Sequence, residues 1–154
     1  MNPNPQAAQT YLRTKVMTAT PEQLQMMLYD GALRFGEQAR VALEAKDFEK
    51  SYTMISKVQK ILTEMTGSLK HAVYPDLCTK LAALYNFAYR KLIEANIDHK
   101  LESLDEAMEV LKYQRETWAL LMQQLGTQKA GAAAKAINMP APDNRMEASI
   151  KLSA

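Results

Sequence analysis

The sequence predicts an all-α protein: an antiparallel four-helix bundle with an extended or short-helical N-terminal cap and a flexible C-terminal tail. Three observations predict it. Apolar residues recur every three or four positions through most of the chain, the pattern of helices with a buried face. Glycine is scarce, at five in 154 residues, while hydrophobic residues make up 47%, a balance that favours packed helices over sheet or disorder. Pro21 and Pro75 each open a periodic stretch, and proline's fixed φ and missing N–H suit a first helical turn. One domain fits this length, divided as a leader over 1–19, a bundle over 20–126 and a low-complexity tail over 127–154.

The leader holds Pro3, Pro5 and polar residues, then Tyr11, Leu12, Val16 and Met17. It is too short and broken for a helix that is stable alone, but it carries enough apolar surface to dock. Thr20 is an N-cap and Gln23 completes a capping box, so the first bundle helix runs from Pro21 to about Ala45. Its inward stripe is Leu24, Leu28, Gly31, Phe35, Ala39 and Ala42. Asp47 caps the second helix, whose stripe is Phe48, Tyr52, Ile55, Val58, Leu62, Met65 and Leu69. Residues 71–74 form the connection, and Pro75 and Asp76 start the third helix. That helix has a core stripe of Leu77, Leu81, Leu84, Ala88, Leu92 and Ala95, with Cys78, Ala82, Tyr85, Tyr89 and Ile93 as a shoulder, and ends at Asn96. Asp98 caps the fourth helix, patterned by Leu101, Leu104, Met108, Leu111, Trp118, Met122 and Leu125 and closed by Gly126. Arg115 falls inside that seam and requires a carboxylate, a carbonyl or water. Beyond it, Ile137, Met139, Ile150 and Leu152 are the tail's candidate anchors.

Several function classes are excluded. A formal charge of +2 from 19 scattered basic residues gives no nucleic-acid or anionic-membrane surface. No run is long and apolar enough to span a membrane, and the N-terminus MNPNPQAAQT lacks a signal pattern. The single Cys78 forms no internal disulfide, which fits a reducing, cytoplasmic setting, and its place beside Leu77 points to inert packing. A di-metal centre needs glutamates three residues before its histidines, and neither His71 nor His99 has one. No catalytic constellation, metal site or cofactor motif is present. The ten methionines are mostly core fillers, Met54 and Met65 among them, while Met26 points elsewhere.

Met26, Tyr29 and Leu33 project opposite the first helix's inward stripe, and Tyr85, Tyr89 and Ile93 repeat the situation on the third. A contiguous apolar set on a small protein marks a partner site. On the residues alone two covers stay open: a partner, or the protein's own leader or second copy.

The chain resembles the flagellar secretion chaperone family, FliS. The resemblance is carried by Tyr11, Val16, the run T-A-T-P-E-Q-L from Thr18 to Leu24, and L-Y-D-G-A-L-R-F from Leu28 to Phe35. It continues in L-Y-N-F-A-Y-R-K-L from Leu84 to Leu92, in Ala95-Asn96, and in R-E-T-W from Arg115 to Trp118. It implies a helical bundle without enzymatic activity or cofactor. It also implies that the bundle holds the C-terminal segment of flagellin in the cytoplasm, preventing premature polymerisation and keeping it competent for export. The leader is expected to lie over part of the binding surface and to move when flagellin arrives. The candidate contacts are Tyr11, Leu12 and Val16 in the leader and Met26, Tyr29, Leu33, Tyr85, Tyr89 and Ile93 on the bundle. The flagellar export apparatus and flagellar regulators are further partners left open by the resemblance; nucleic acid and membrane insertion are not expected. The rival reading is a helical adaptor or homodimeric module for another flagellar protein.

Overall fold

Polar caps and prolines set the helix starts. The computed structural model describes residues 4–138, with side chains as far as residue 126, and helices joined by turns are the only regular structure among them. The leader forms α1, Pro5–Thr18, capped by Asn4, whose side chain accepts from the Gln6 N–H at 3.1 Å. Ala19 and Thr20 are extended, and α2 spans Pro21–Glu44. The Pro21 ring disfavours helical backbone at Thr20, so α1 and α2 cannot fuse. The capping box forms as expected: Thr20 Oγ1 accepts from the Gln23 N–H at 3.2 Å, and Gln23 Oε1 from the Thr20 N–H at 2.9 Å. Helix α3 is Phe48–Gly67, with Asp47 accepting from the Lys50 N–H at 3.2 Å. Helix α4 is Pro75–Asp98 and α5 is Leu101–Asn138.

Two expected boundaries are corrected. Helix α4 passes Asn96, and Asp98 is its last residue rather than the cap of the next helix. His99 breaks it in the left-handed region, at φ 54°, and the Phe48 ring stacks on that imidazole at 3.8 Å between centroids. Gly126 does not close the last helix, which runs on to Asn138. Five alanines between Ala130 and Ala136 offset the roughly 1 kcal/mol each that Gly126 and Gly131 cost in a helix. Met139, Ile150 and Leu152 lie outside the described residues.

Residues through Arg115 form one unit and those from Glu116 another; the packing that follows is that of the first. Helix α2 packs on α3, and α3 on α4. Cross-links fix the direction of α5. Arg115 Nε donates to Asp30 at 2.8 Å, and Arg40 pairs with Asp105. Residues early in α2 thus meet residues late in this stretch of α5, and the two helices are antiparallel. Lys91 meets Glu106 at 3.2 Å and Ser103 donates to Glu94 at 3.2 Å, which sets α4 antiparallel to α5 as well. Arg115 therefore finds its carboxylate at a half-exposed position.

The interior is a set of interlocking seams. Tyr29, Ala32, Ala39 and Leu43 of α2, with Gly36 between them, face Ile55, Val58, Leu62 and Met65 of α3 and Cys78, Tyr85, Ala88, Leu92 and Ala95 of α4. Leu104, Ala107 and Leu111 complete it from α5. Burying each large apolar side chain stabilises the fold by roughly 1.5–3 kcal/mol. The expected stripes are right for most of α3 and displaced elsewhere. In α2 the seam lies one position round, leaving Leu24, Leu28 and Phe35 half-buried at its margin. In α4, Leu77 and Leu84 are exposed while Cys78 and Tyr85 are buried. Phe48 and Tyr52 are also exposed. The cause is the small residues of α2. A Cβ at Gly31 would stand 3.5 Å from Ile61 Cδ1, and one at Gly36 would overlap Met108 Sδ and Cε. Close approach along that line turns α2 so that Tyr29 points inward.

Candidate binding surface

Helix α1 presents its whole circumference. None of its side chains is buried, and Tyr11 is 70% exposed, with Leu12, Val16 and Met17 also open. The leader candidates therefore stand on a helix free to be touched, rather than seated over the bundle.

The bundle candidates divide. Tyr29 and Tyr85 are each only 2% exposed, and their hydroxyls hydrogen-bond to each other at 2.7 Å. The expectation that these two line an open face is corrected: they tie α2 to α4 inside the core. Tyrosine can do this because each phenol satisfies the other, so neither polar tip is buried alone. Burial chiefly, with the hydrogen bond to Tyr29, pushes the Tyr85 phenol far above its ordinary value of 10.0, while a hydrogen bond from Gln25 opposes the shift. A pKa raised on folding contributes stability that is complete below the unfolded value and is lost above it. Chemical denaturation is accordingly expected to give a constant midpoint through neutral pH and a falling one above about pH 10; a flat profile there contradicts a protonated, buried phenol.

Met26 and Leu33 are half-buried and share a helical flank with Asp30 and Arg40, which face α5. Tyr89 is half-buried and Ile93 is 39% exposed. These two project from α4 on the side away from Lys91, and Lys91 faces α5. The two pairs therefore form separate strips rather than one groove. Sequence reasoning missed Leu77, Leu84 and Ile97, all exposed apolar side chains. Leu77 and Leu84 belong to the expected core stripe of α4, whose later members Ala88, Leu92 and Ala95 are buried. Among the described residues no group of His, Cys, Asp and Glu could hold a metal, and no helix is long and apolar enough to cross a membrane.

A helical bundle with half-buried apolar strips and an open, apolar-bearing N-terminal helix has the form of a binding protein. Comparison with known proteins decides its kind. The family model described as "Flagellar protein FliS" matches residues 4–125. The chain belongs to the FliS family. It is 33% identical over 120 residues to the flagellar secretion chaperone FliS of Bacillus subtilis (strain 168), covering 78% of this chain and 87% of that protein. With FliS of Salmonella typhimurium LT2 the identity is 30% over 112 residues, covering 72% and 83% respectively. A solved structure titled "Crystal structure of flagellar chaperone from bacteria" superposes with a TM-score of 0.64 at 18% identity, over 79% of this chain and 99% of that one; this likeness confirms the all-helical fold. As a FliS-family member the chain is a flagellar secretion chaperone and not an enzyme. The match begins at residue 4, so α1 lies within the family region.

Proposed function

We propose that this chain binds the C-terminal segment of flagellin in the cytoplasm, prevents its premature polymerisation and keeps it competent for flagellar export. Family membership supports a flagellar client, and one feature of the fold supports this kind of client: apolar surface spread over α1, α2 and α4 instead of gathered in a pocket. Tyr11, Leu12, Val16, Met26, Leu33, Tyr89 and Ile93 are the proposed contacts. Because Met26 and Leu33 stand on a different flank from Tyr89 and Ile93, one guest reaches both strips only by wrapping. A segment that orders on binding loses about 2–5 kcal/mol to that ordering, which favours long contacts of this sort. Tyr29 and Tyr85 support the surface from inside.

Titration against flagellin with and without its C-terminal segment tests the reading. The intact protein is expected to bind at least about tenfold more tightly, roughly 1.4 kcal/mol; equal affinities reject the assignment. Since no α1 side chain is buried, α1 is assigned to the contact surface, not to a seated competitor. Trimming residues 1–17 is then expected to weaken flagellin binding, whereas stronger binding would restore the competing-leader reading.

A further inference from the structure

Helix α5 carries one apolar seam further than its burial extends. Leu104, Ala107, Leu111 and Gln114 are buried. Steps of four, three and four from Gln114 lead to Trp118, Leu121 and Leu125, on the same face of the helix. None of these three is buried: Trp118 and Leu125 are half-buried, and Leu121 is 43% exposed. Met122 borders them and is also half-buried. The seam stops there, because its next positions are Gln128 and Ala132.

Area and chain length both bear on what covers this strip. Four side chains over about two turns are far fewer than the roughly 20–30 residues a side of a stable protein–protein interface, which disfavours a second copy. A segment of the same chain needs no such area, since tethering holds it at a roughly millimolar local concentration. Such a segment follows directly. Helix α5 ends at Asn138, just before Pro140 and Pro142, residues that a helix does not run through. Ile150 and Leu152 come next among the large apolar residues after Met146. Leu121 stands seventeen residues before Asn138, about 26 Å back along the helix. The twelve residues from Asn138 to Ile150 span up to about 40 Å when extended, so the reach is sufficient. Strip and segment belong to the same unit, Glu116–Ala154, and the segment lies beyond the family match, which ends at residue 125. We propose that the chain after Pro142 folds back along α5 and lays Ile150 and Leu152 on Trp118, Leu121 and Leu125, a strap that keeps this seam from other chains. The strap is a feature of this chain and does not depend on the flagellin assignment.

The test uses the full chain, in which Trp118 is the one tryptophan and so reports on the strip. Ile150→Asp with Leu152→Asp is expected to shift Trp118 emission to longer wavelength and to raise its quenching by acrylamide. Ser149→Asp with Ser153→Asp makes the same charge change in the same segment and is expected to leave both as in the native chain. Trypsin gives a second measurement, because cleavage after Arg145 tracks the undocked population. That cleavage is expected to be about tenfold slower in the native chain than in the Ile150→Asp, Leu152→Asp chain. The proposal is overturned if the native and Ile150→Asp, Leu152→Asp chains share one emission and one cleavage rate, or if both aspartate pairs act alike. It is also overturned if Trp118 becomes better protected as protein concentration rises, which would make a second copy the cover.

Discussion

Replacing Tyr85 by alanine is expected to cost about 3–5 kcal/mol of folding stability, the range for removing a large buried aromatic. The side chain is almost wholly enclosed, and its hydroxyl is held by Tyr29 at 2.7 Å. Alanine would leave a cavity in α4 and a buried phenol on α2 without its partner. Phenylalanine separates these two effects. Tyr85→Phe keeps the ring but orphans the Tyr29 hydroxyl, at about 1–3 kcal/mol; Tyr29→Phe does the reverse, and the double replacement removes both polar tips and should cost less than the sum. Urea midpoints for the four proteins measure this directly. Additive costs would mean that the two hydroxyls do not depend on each other. Tyr29→Asp should unfold the chain outright, because it buries a charge among apolar side chains, and so it cannot serve as a binding mutant. Leu33→Asp and Ile93→Asp are the informative substitutions for flagellin binding.

The second large effect is expected at Gly36. Leucine there should destabilise by about 1–3 kcal/mol or more, the usual range for overpacking. Even the first carbon of the new side chain would overlap Met108 Sδ and Cε. Alanine is a different case. Its gain of about 1 kcal/mol in helix propensity opposes the displacement of a flexible thioether, so Gly36→Ala should fall near neutral. Adding Met108→Ala to Gly36→Leu should recover part of the loss, since the atoms nearest the added Cβ all belong to that side chain. At Gly67 an added Cβ meets nothing within 4 Å, so alanine there serves as a control. Native stability for Gly36→Leu would contradict the close approach of α2 and α5.

Local signals were the ones most legible in the residues. Thr20 with Gln23, Asp47, and the prolines at 21 and 75 placed helix starts because capping depends on residues a turn apart. The α3 stripe from Ile55 to Met65 is legible because every residue between them off the stripe is polar except Ile61. Helix ends were harder. Asp98 looks like a cap and Gly126 like a stop, but His99 supplies the break for α4, and alanines carry α5 past its glycine.

The nine candidate contacts separate along the same line. Tyr11, Leu12 and Val16 follow from an apolar leader with too little chain to bury them, and all are exposed. On α2 and α4 the residues allow two rotations of each helix with nearly equal apolar content. Leu24 and Leu28 compete with Tyr29 on one, and Leu77 and Leu84 with Cys78 and Tyr85 on the other.

By itself the sequence determined an all-helical chain, most of its helix starts and the family to which it belongs, because each rests on short-range chemistry or on residues in order. Only the tertiary structure decided which apolar stripe faces inward. Two stripes about one residue apart bury similar area. The choice between them falls to contacts across helices: the gap at Gly36 that admits Met108, and the two phenols that satisfy each other only when Tyr29 and Tyr85 both turn to the centre.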